Sequence, residues 1–325
     1  MRKKCSGIVL ALVLALFGLA GMVEAGQYTF RLGHAQPPTD IFHLACEKFA
    51  ALSREKSNGQ IRVQIFASGQ LGSLRDMIEG LRLGTIQGVW DVPSRLEAYT
   101  DLGSIFNFPY LIENRAHGER VWESEVGKNL FDELTEKSGI RILAVGWRGS
   151  RQMTANRAIH SPADLIGLKL RVPPYDVPLK TWQTLGATPT PLDWNEVYLA
   201  LQQGTIDAQE NPMTSNASSR MFEVQSHLIL TEVVKNFSAL LVGETYYRSL
   251  PEDIQKILAE SAVEASRFQG DEIDKNEAEF IELFRKEKVT VIAPDLAPFK
   301  EKLKDFVKDN YPQMEPYVKE IDKFK

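Results

Sequence analysis

Strand patterns and helix patterns alternate along the first hundred residues, and this alternation limits the folds open to the chain. The helix patterns are amphipathic, and they end at glycines, where a left-handed residue commonly terminates a helix. Alternation of this kind predicts an α/β fold, with a mostly parallel sheet and helices packed outside it. The successive patterns are strand 28–34, helix 40–59, strand 61–67, helix 73–84 and strand 85–90.

One helix–strand unit resembles another that lies 120 positions later. "LRLGTIQGVWD" (81–91) aligns with "LQQGTIDAQEN" (201–211), each being a helix end, a glycine, Thr-Ile and a strand. The match indicates either two ordinary helix–strand units or two similar α/β lobes. In open α/β sheets ligands bind beyond the carboxyl ends of strands. The residues at those two ends are Trp90, Asp91, Glu210 and Asn211.

A long helical pattern covers residues 249–288, and it is long enough to tie pieces of two lobes together. Ser249 and Glu252 have the spacing of a capping box, which predicts the start of the helix there. Gly270 lies inside the pattern and is expected to break or bend the helix, because glycine costs about 1 kcal/mol relative to alanine.

The first 25 residues have the pattern of a secretory signal. Three basic residues precede an apolar run, and Val23 and Ala25 give a small-x-small cleavage site, so we expect cleavage after Ala25. The alternative is an uncleaved membrane anchor. Cleavage also removes Glu24, and the formal net charge then moves from −5 to −7. An acidic exported chain is a poor nucleic-acid binder, and no later stretch is apolar enough to span a membrane.

The sequence contains no pattern that calls for a cofactor, a metal or a catalytic nucleophile. It has no nucleotide-binding glycine fingerprint, no P-loop lysine and no G-x-S-x-G elbow. The five histidines lack the paired spacing of a metal site. Cys46 would be the one cysteine of the cleaved chain, so no intramolecular disulfide is expected. An acid–base pair built from distant carboxylates stays open, but binding without chemistry is the simpler interpretation.

Polar and aromatic residues at predicted strand and helix ends suggest recognition of an anion. Arg171 ends the strand of "GLKLRVPP" (167–174), where its planar guanidinium either binds a ligand carboxylate, forms a structural ion pair or is a solvated strand end. Arg151 follows another apolar strand and offers a second cation. Asn211 precedes a proline. Its side-chain amide either hydrogen-bonds to a ligand or stabilises a turn. Trp194 lies beside a helix N-cap. Its ring either covers a bound ligand or packs in the protein core.

Longer blocks of the sequence resemble the substrate-binding proteins of TRAP (tripartite ATP-independent periplasmic) transporters. The likeness is strongest in "GSRQMTANRAIHSPADLIGLKLRVPP" and "LGATPTPLDWNEVYLALQQGTIDAQENP", and it continues in "ASGQLGSLRDMIEGLRLGTIQ" and "SLPEDIQKIL". It therefore covers most of the chain that follows the signal.

This resemblance implies a two-lobed periplasmic-binding-protein clamshell with a long helix bracing both lobes. Lobe I would comprise residues 27–148 and 237–276, and lobe II residues 149–236 and 277–325, with the ligand cleft between them. The family captures small organic acids in the periplasm and delivers them to a membrane permease. The resemblance thus implies a periplasmic transport protein, without cofactor or catalytic activity.

Four residues take their expected roles from the family pattern. The arginine of "LKLRVP" is Arg171, which would hold the ligand carboxylate, and the arginine of "RQMTAN" is Arg151, which would contribute to the same anion site. The asparagine of "QENP" is Asn211, and the aromatic residue of "PLDWNEVY" is Trp194, which would pack against the ligand.

Other positions depart from the pattern or extend it. Leu74 replaces a residue that is often acidic in relatives, so a polar contact is expected to be missing there. We expect Trp90 and Asp91 to narrow the pocket and to offer an acceptor to a hydroxyl, with His34 in the same cleft. These residues favour a sugar acid such as a uronate over a C4-dicarboxylate or an aromatic acid. A sensory binding module and a secreted enzyme are the rival classes.

Overall fold

The computed structural model describes residues 27–325 as a mixed α/β protein. The expected signal peptide, residues 1–25, lies outside the described residues. The strands are β1 Tyr28–Gly33, β2 Ile61–Phe66, β3 Gly88–Asp91, β4 Ile140–Ala155, β5 Lys169–Val172, β6 Thr188–Pro191, β7 Ala208–Pro212, β8 His227–Ile229, β9 Lys235–Gly243 and β10 Thr290–Ile292. The helices are α1 Ile41–Lys56, α2 Leu74–Leu83, α3 Arg115–Glu123, α4 Glu125–Ser138, α5 Asp176–Leu185, α6 Trp194–Gln202, α7 Met213–Ser218, α8 Glu244–Ser249, α9 Glu252–Lys286, α10 Ala297–Leu303, α11 Phe306–Asn310 and α12 Glu315–Asp322.

The strands form two sheet regions that share one long strand. Their order is β2-β1-β3-β9-β4-β7-β5-β6, and β8 and β10 branch from β4. Strands β1, β2 and β3 are parallel, whereas β9 is antiparallel to both β3 and β4. The first part of β4 pairs with β9, and its last part, from Arg151 to Ala155, pairs with β7. Strand β4 therefore connects the first sheet region to the second.

Helix α9 spans 35 residues and packs against both sheet regions. Its first half, including Leu258 and Ala262, shares an apolar core with α1 and β1. Phe284, near its end, belongs to a separate core with α6 and α7. The expected bracing helix is thus confirmed, but the expected break at Gly270 is not. The helix runs unbroken through Gly270, and this position needs glycine because a Cβ there would lie 2.9 Å from the guanidinium of Arg115.

The expected capping box at Ser249 and Glu252 is also wrong. Ser249 is the last residue of α8, and its hydroxyl donates to the carbonyl of Tyr246. Helix α9 begins at Glu252 after Pro251, which has no side-chain cap. By contrast, Ser73 forms a complete capping box at the start of α2, as the sequence predicts.

The two similar sequence units fold in the same way. Gly84 and Gly204 both have positive φ, at +75° and +69°, in the turns that follow α2 and α6. The next residue, Thr85 or Thr205, donates its amide to the carbonyl five positions earlier, at 3.0 Å in both units. Each turn then leads into a strand parallel to an earlier one, β3 beside β1 and β7 beside β5. The carboxyl ends of β3 and β7 consequently occupy equivalent places in the two sheet regions.

The described residues contain no helix that is both long and apolar enough to cross a membrane. Nor does any group of three or more His, Cys, Asp or Glu within residues 27–325 have the arrangement of a metal site. Cys46 is a free, buried thiol in the core between α1 and β1.

Candidate functional site: a cleft lined with arginines

Arg171 lies at the end of β5 with a desolvated and unpaired charge. Its side chain is 3% exposed, and its Nε donates to the carbonyl of Leu192 at 2.9 Å. Among residues 27–325 no carboxylate lies within ion-pair distance of it. Burial lowers the pKa of Arg171 to about 9, helped by the positive charge of Arg151, so the guanidinium remains protonated at neutral pH. A buried cation without an anionic partner is costly, and an anion that enters the cleft would offset that cost.

Arg151 is brought to the same neighbourhood, but its charge is already paired. Its guanidinium contacts the carboxylate of Glu210 through Nε and Nη2, at 2.5 and 2.9 Å, and Nη2 also donates to the Glu210 carbonyl at 2.6 Å. Strands β4 and β7 are neighbours in the sheet, which places the two side chains side by side. Such bidentate pairs fix geometry strongly, so Arg151 contributes a rigid wall near Arg171.

Asn211 is held at the end of β7 by a buried amide network. Its Nδ2 donates to Gln209 Oε1 at 2.7 Å, and Gln209 Nε2 donates to Thr154 and Asn216 at 2.8 Å each. Asn216 in turn donates to the backbone carbonyl of Asn211 at 3.0 Å. The network orients the amide of Asn211, and its Oδ1 takes no hydrogen bond from the described residues.

Trp194, the first residue of α6, stands beside Arg171, whose guanidinium lies 5.7 Å from the centre of the ring. The two residues line a small space together with Leu74, Arg95 and Asp193. Its volume is about 10 Å³, about enough for one water. Leu74 therefore gives this space an apolar wall at the position where a polar contact is expected to be missing.

A larger cavity of about 350 Å³ adjoins this space and opens between the two sheet regions. Arg95 and Pro174 border both spaces, and Glu97, Tyr99 and Tyr175 line the larger one. The two sides also touch directly. Arg95 stacks on the Tyr175 ring at 4.6 Å from its centre.

Asp91 lies at the end of β3 and is almost fully buried. Its carboxylate is in close contact with Nε of Arg95, one turn further along the chain. The expected acceptor is therefore engaged by a cation, and of this pair it is Arg95 that lines the cleft.

His34 is completely buried at the end of β1 and contacts another histidine. Its Nε2 lies 2.9 Å from Nδ1 of His43. Burial, with the nearby His43 and Arg148, lowers the pKa of His34 to about 3, so the ring is neutral at physiological pH. His34 can serve as a hydrogen-bonding group there, but not as a cation.

Trp90 is not brought to the cleft, contrary to the expectation from its position at a strand end. Alternate residues of a strand point to opposite faces, so Trp90 points away from the face that carries Asp91. Its fully buried ring packs near Phe49 of α1, and its Nε1 donates to Gln269 of α9 at 2.9 Å. Trp90 is a core residue that ties β3 to α1 and α9.

Sequence reasoning missed two other residues at the junction of the sheet regions. Arg148 in β4 is 4% exposed and donates from Nη2 to Ser215 at 3.0 Å. Glu97 accepts the amide of Asp176 at 2.9 Å, at the beginning of α5. The sequence did contain a signal for Arg148. Like Arg151, it is an arginine at an apolar strand, where a charged side chain is unusual.

Comparison with known proteins gives one consistent result. The sequence profile of the bacterial extracellular solute-binding proteins of family 7 matches residues 32–313. A solute-binding protein from Roseobacter denitrificans is 32% identical over 93% of each chain. The sialic acid-binding periplasmic protein SiaP of Vibrio cholerae is 30% identical over 86% of this chain and 88% of its own.

Solved structures agree with the sequence relatives. The Roseobacter denitrificans protein, a TRAP periplasmic solute-binding protein with bound L-galactonate, superposes with a TM-score of 0.87 and covers 91% of this chain and 99% of its own. A TRAP protein from Polaromonas bound to D-erythronate, 27% identical, has a TM-score of 0.84 over 90% and 98% of the two chains. Two-lobed TRAP binding proteins thus share the fold described above. The chain therefore belongs to family 7 of the bacterial extracellular solute-binding proteins, the solute receptors of TRAP transporters.

Proposed function

We propose that this protein captures a sugar acid in the periplasm and delivers it to the membrane permease of a TRAP transporter. The observation that carries the proposal is Arg171, a buried guanidinium with no carboxylate partner among the described residues. A ligand carboxylate would accept two charge-assisted hydrogen bonds from such a planar group. Trp194 and Leu74 would pack against the carbon chain, and Asn211 would contribute its free amide oxygen.

The charges around the cleft favour an acid with one carboxylate over a dicarboxylate. Arg95 and Arg151 have carboxylate partners, and Arg148 is attracted by buried Asp40. Neither Arg148 nor Arg171 has a carboxylate within ion-pair distance among the described residues, and the carboxylates that attract Arg171 are Glu210, already paired with Arg151, and Asp193. We therefore expect one ligand carboxylate, bound at Arg171. Hydroxyls along the ligand would then suit the polar groups that surround the cleft. Relatives that bind L-galactonate and D-erythronate support this ligand class.

Binding would close two lobes around the acid. We assign residues 27–148 and 237–276 to lobe I and residues 149–236 and 277–325 to lobe II, with hinge positions in β4 and β9 and near the middle of α9. The described conformation leaves little space beside Arg171, so a ligand would enter after the lobes separate. The protein would act without catalysis, since its ligand leaves unchanged through the permease.

The test is calorimetric titration of residues 26–325 with L-galactonate, D-glucuronate and succinate, after a thermal-shift screen of organic acids. Loss of the clamp in Arg171→Met should weaken binding about tenfold to more than a hundredfold, because each charge-assisted hydrogen bond contributes about 1.5–3 kcal/mol. Arg62→Met, at an exposed arginine of β2, is the matched control and should bind like wild type.

Three outcomes would count against the proposal. Binding of succinate alone would replace the sugar acid with a dicarboxylate. Unchanged affinity in Arg171→Met would remove this residue from the site. Chemical conversion of the acid during a long incubation, followed by mass spectrometry, would indicate an enzyme instead of a receptor.

A further inference from the structure

Arg148 occupies an irregular position in β4, where the strand passes from one sheet region to the other. Trp147 pairs with Phe237 and Gly149 pairs with Asn236, so Arg148 is left without a partner in the ladder. Gly149 has a φ of +90°, which a residue with a side chain rarely adopts. An extra residue of this kind bends a strand and turns its side chain in a new direction.

The side chain of Arg148 contacts one helix from each of the two sheet regions. Its guanidinium lies 4.4 Å from the ring centre of Phe42 in α1, and its Nη2 donates to Ser215 in α7 at 3.0 Å. Asp40, Asp91, Arg95 and Arg151 are close enough to influence its charge. The side chain therefore lies between α1 and α7, close to the Asp91–Arg95 pair, of which Arg95 lines the cleft.

Arg148 is incompletely satisfied within the protein. Its Nε is buried and has no hydrogen-bond partner among residues 27–325, and no carboxylate in that part of the chain lies within ion-pair distance. Arg151, only three positions away, makes three contacts with Glu210. A buried donor without a partner costs about 1–3 kcal/mol. The arrangement leaves one donor for an acceptor that comes from outside the chain.

We propose that Arg148 is a second ligand-binding residue, which contacts hydroxyl oxygens at the end of the acid remote from Arg171 and so selects longer sugar acids. This inference rests on the proposed function. Across β7, Thr154 of β4 is level with Arg171 of β5, and Arg148 lies six residues further back along β4, so the two arginines start about 20 Å apart along the strands. Of two acids held by Arg171, the longer one extends further towards Arg148, so only the longer one is expected to reach its side chain.

The charge of Arg148 suits a hydroxyl better than a second carboxylate. Burial lowers the pKa of Arg148 to about 10, and the guanidinium stays charged at neutral pH. Asp91 and Asp40 attract this charge and offset it in part. A neutral oxygen acceptor would satisfy the free donor without adding a further negative charge beside the two aspartates.

The experiment compares two acids of different length in two variants. L-Galactonate has six carbons and D-erythronate has four, and both are titrated calorimetrically into wild type, Arg148→Met and Arg171→Met. We expect Arg148→Met to bind L-galactonate about tenfold to a hundredfold more weakly and to bind D-erythronate as wild type does. Arg171→Met should lose affinity for both acids. Arg148→Lys, which keeps the charge and the contact with Phe42, serves if the methionine variant does not fold, and it should show the same selective loss to a smaller degree.

The possible results separate this inference from the proposed function. If wild type binds neither acid nor any other sugar acid, the proposed function fails, and this inference fails with it. If wild type binds L-galactonate and the Arg148 variants lose both acids equally, or lose neither, the proposed function stands and Arg148 is a structural residue only.

Discussion

Glu97 links the two sides of the cleft, and its ionisation should make ligand binding depend on pH. Its Oε1 accepts the amides of Asp176 and Val177 at 2.9 and 3.4 Å, at the beginning of α5. Its other oxygen is buried without a partner among the described residues. Asp176, Asp101 and the Tyr311 hydroxyl are the ionisable groups that face it, and the two aspartates repel its negative charge.

The sign of the effect follows from the raised pKa. Burial raises the pKa of Glu97 from 4.5 to about 7, and the two amide hydrogen bonds oppose this only in part. In an open form the carboxyl would return to its ordinary pKa. Closure is then favoured most below pH 4.5, where Glu97 is protonated in both forms, and this advantage is lost as the pH rises through about 7.

The two pKa values of Glu97, about 7 in the closed form and 4.5 in the open form, set an upper bound on the change in ligand affinity. The difference between about 7 and 4.5 corresponds to about 3 kcal/mol, or about a hundredfold in affinity. Glu97 keeps some exposure to solvent in the closed form, which reduces the gain, so we expect about tenfold.

Calorimetry of L-galactonate binding in buffers of different ionisation enthalpy measures this linkage directly. Near pH 6 wild type should take up most of one proton on binding. Glu97→Gln keeps an acceptor oxygen but cannot ionise, so it should lose most of that uptake and bind about tenfold more tightly at pH 8. Glu136→Gln, at an exposed position, should behave as wild type. Absence of proton uptake in wild type, or equal uptake in Glu97→Gln, would refute the reasoning.

Three further substitutions test the roles assigned to other residues. Trp90→Phe should lower the free energy of unfolding by about 1–3 kcal/mol, through lost ring volume and a lost indole hydrogen bond, without changing ligand affinity; urea unfolding and calorimetry check this. Gly103→Ala should destabilise the fold by about 1–3 kcal/mol or more, because its Cβ would lie 2.2 Å from the backbone nitrogen of Glu97; an unchanged melting temperature would contradict it. Glu210→Gln should leave the buried charge of Arg151 without a full counter-charge and reduce stability by about 1–3 kcal/mol in urea unfolding.

Local patterns predicted those parts of the fold that depend on neighbours in sequence. Ser73 and Asp76 form their capping box, and Gly84 ends the helix with positive φ, because both signals act within one turn of helix. The predicted bounds of the strand after that helix were less accurate. It was expected over residues 85–90 and forms over Gly88–Asp91, since the preceding residues are used by the turn.

Signals that depend on distant partners were misjudged. A glycine inside a helix pattern predicts a weak point, but Gly270 allows the side chain of Arg115 to approach α9. Arg115 then bonds to Asp271 and Asp274 across 156 and 159 positions of sequence. No local pattern contains that contact, so the sequence predicts a break or bend at Gly270, whereas α9 is unbroken there.

The arginines of the cleft show the same limit for the site. Arg151 and Arg171 have the same signature in the sequence, a cation after an apolar strand, and each could be a ligand contact or a structural pair. What separates them is Glu210, which lies 59 positions from Arg151 and reaches it only because β4 and β7 are neighbours. Arg171 has no carboxylate within ion-pair distance among the described residues, although Glu210 and Asp193 attract its charge, and its donors other than Nε remain for an anion from outside. Whether an arginine binds a ligand thus depends on the partner that the fold supplies or withholds, and this is a property of sheet order that the residue's own neighbours in sequence do not carry.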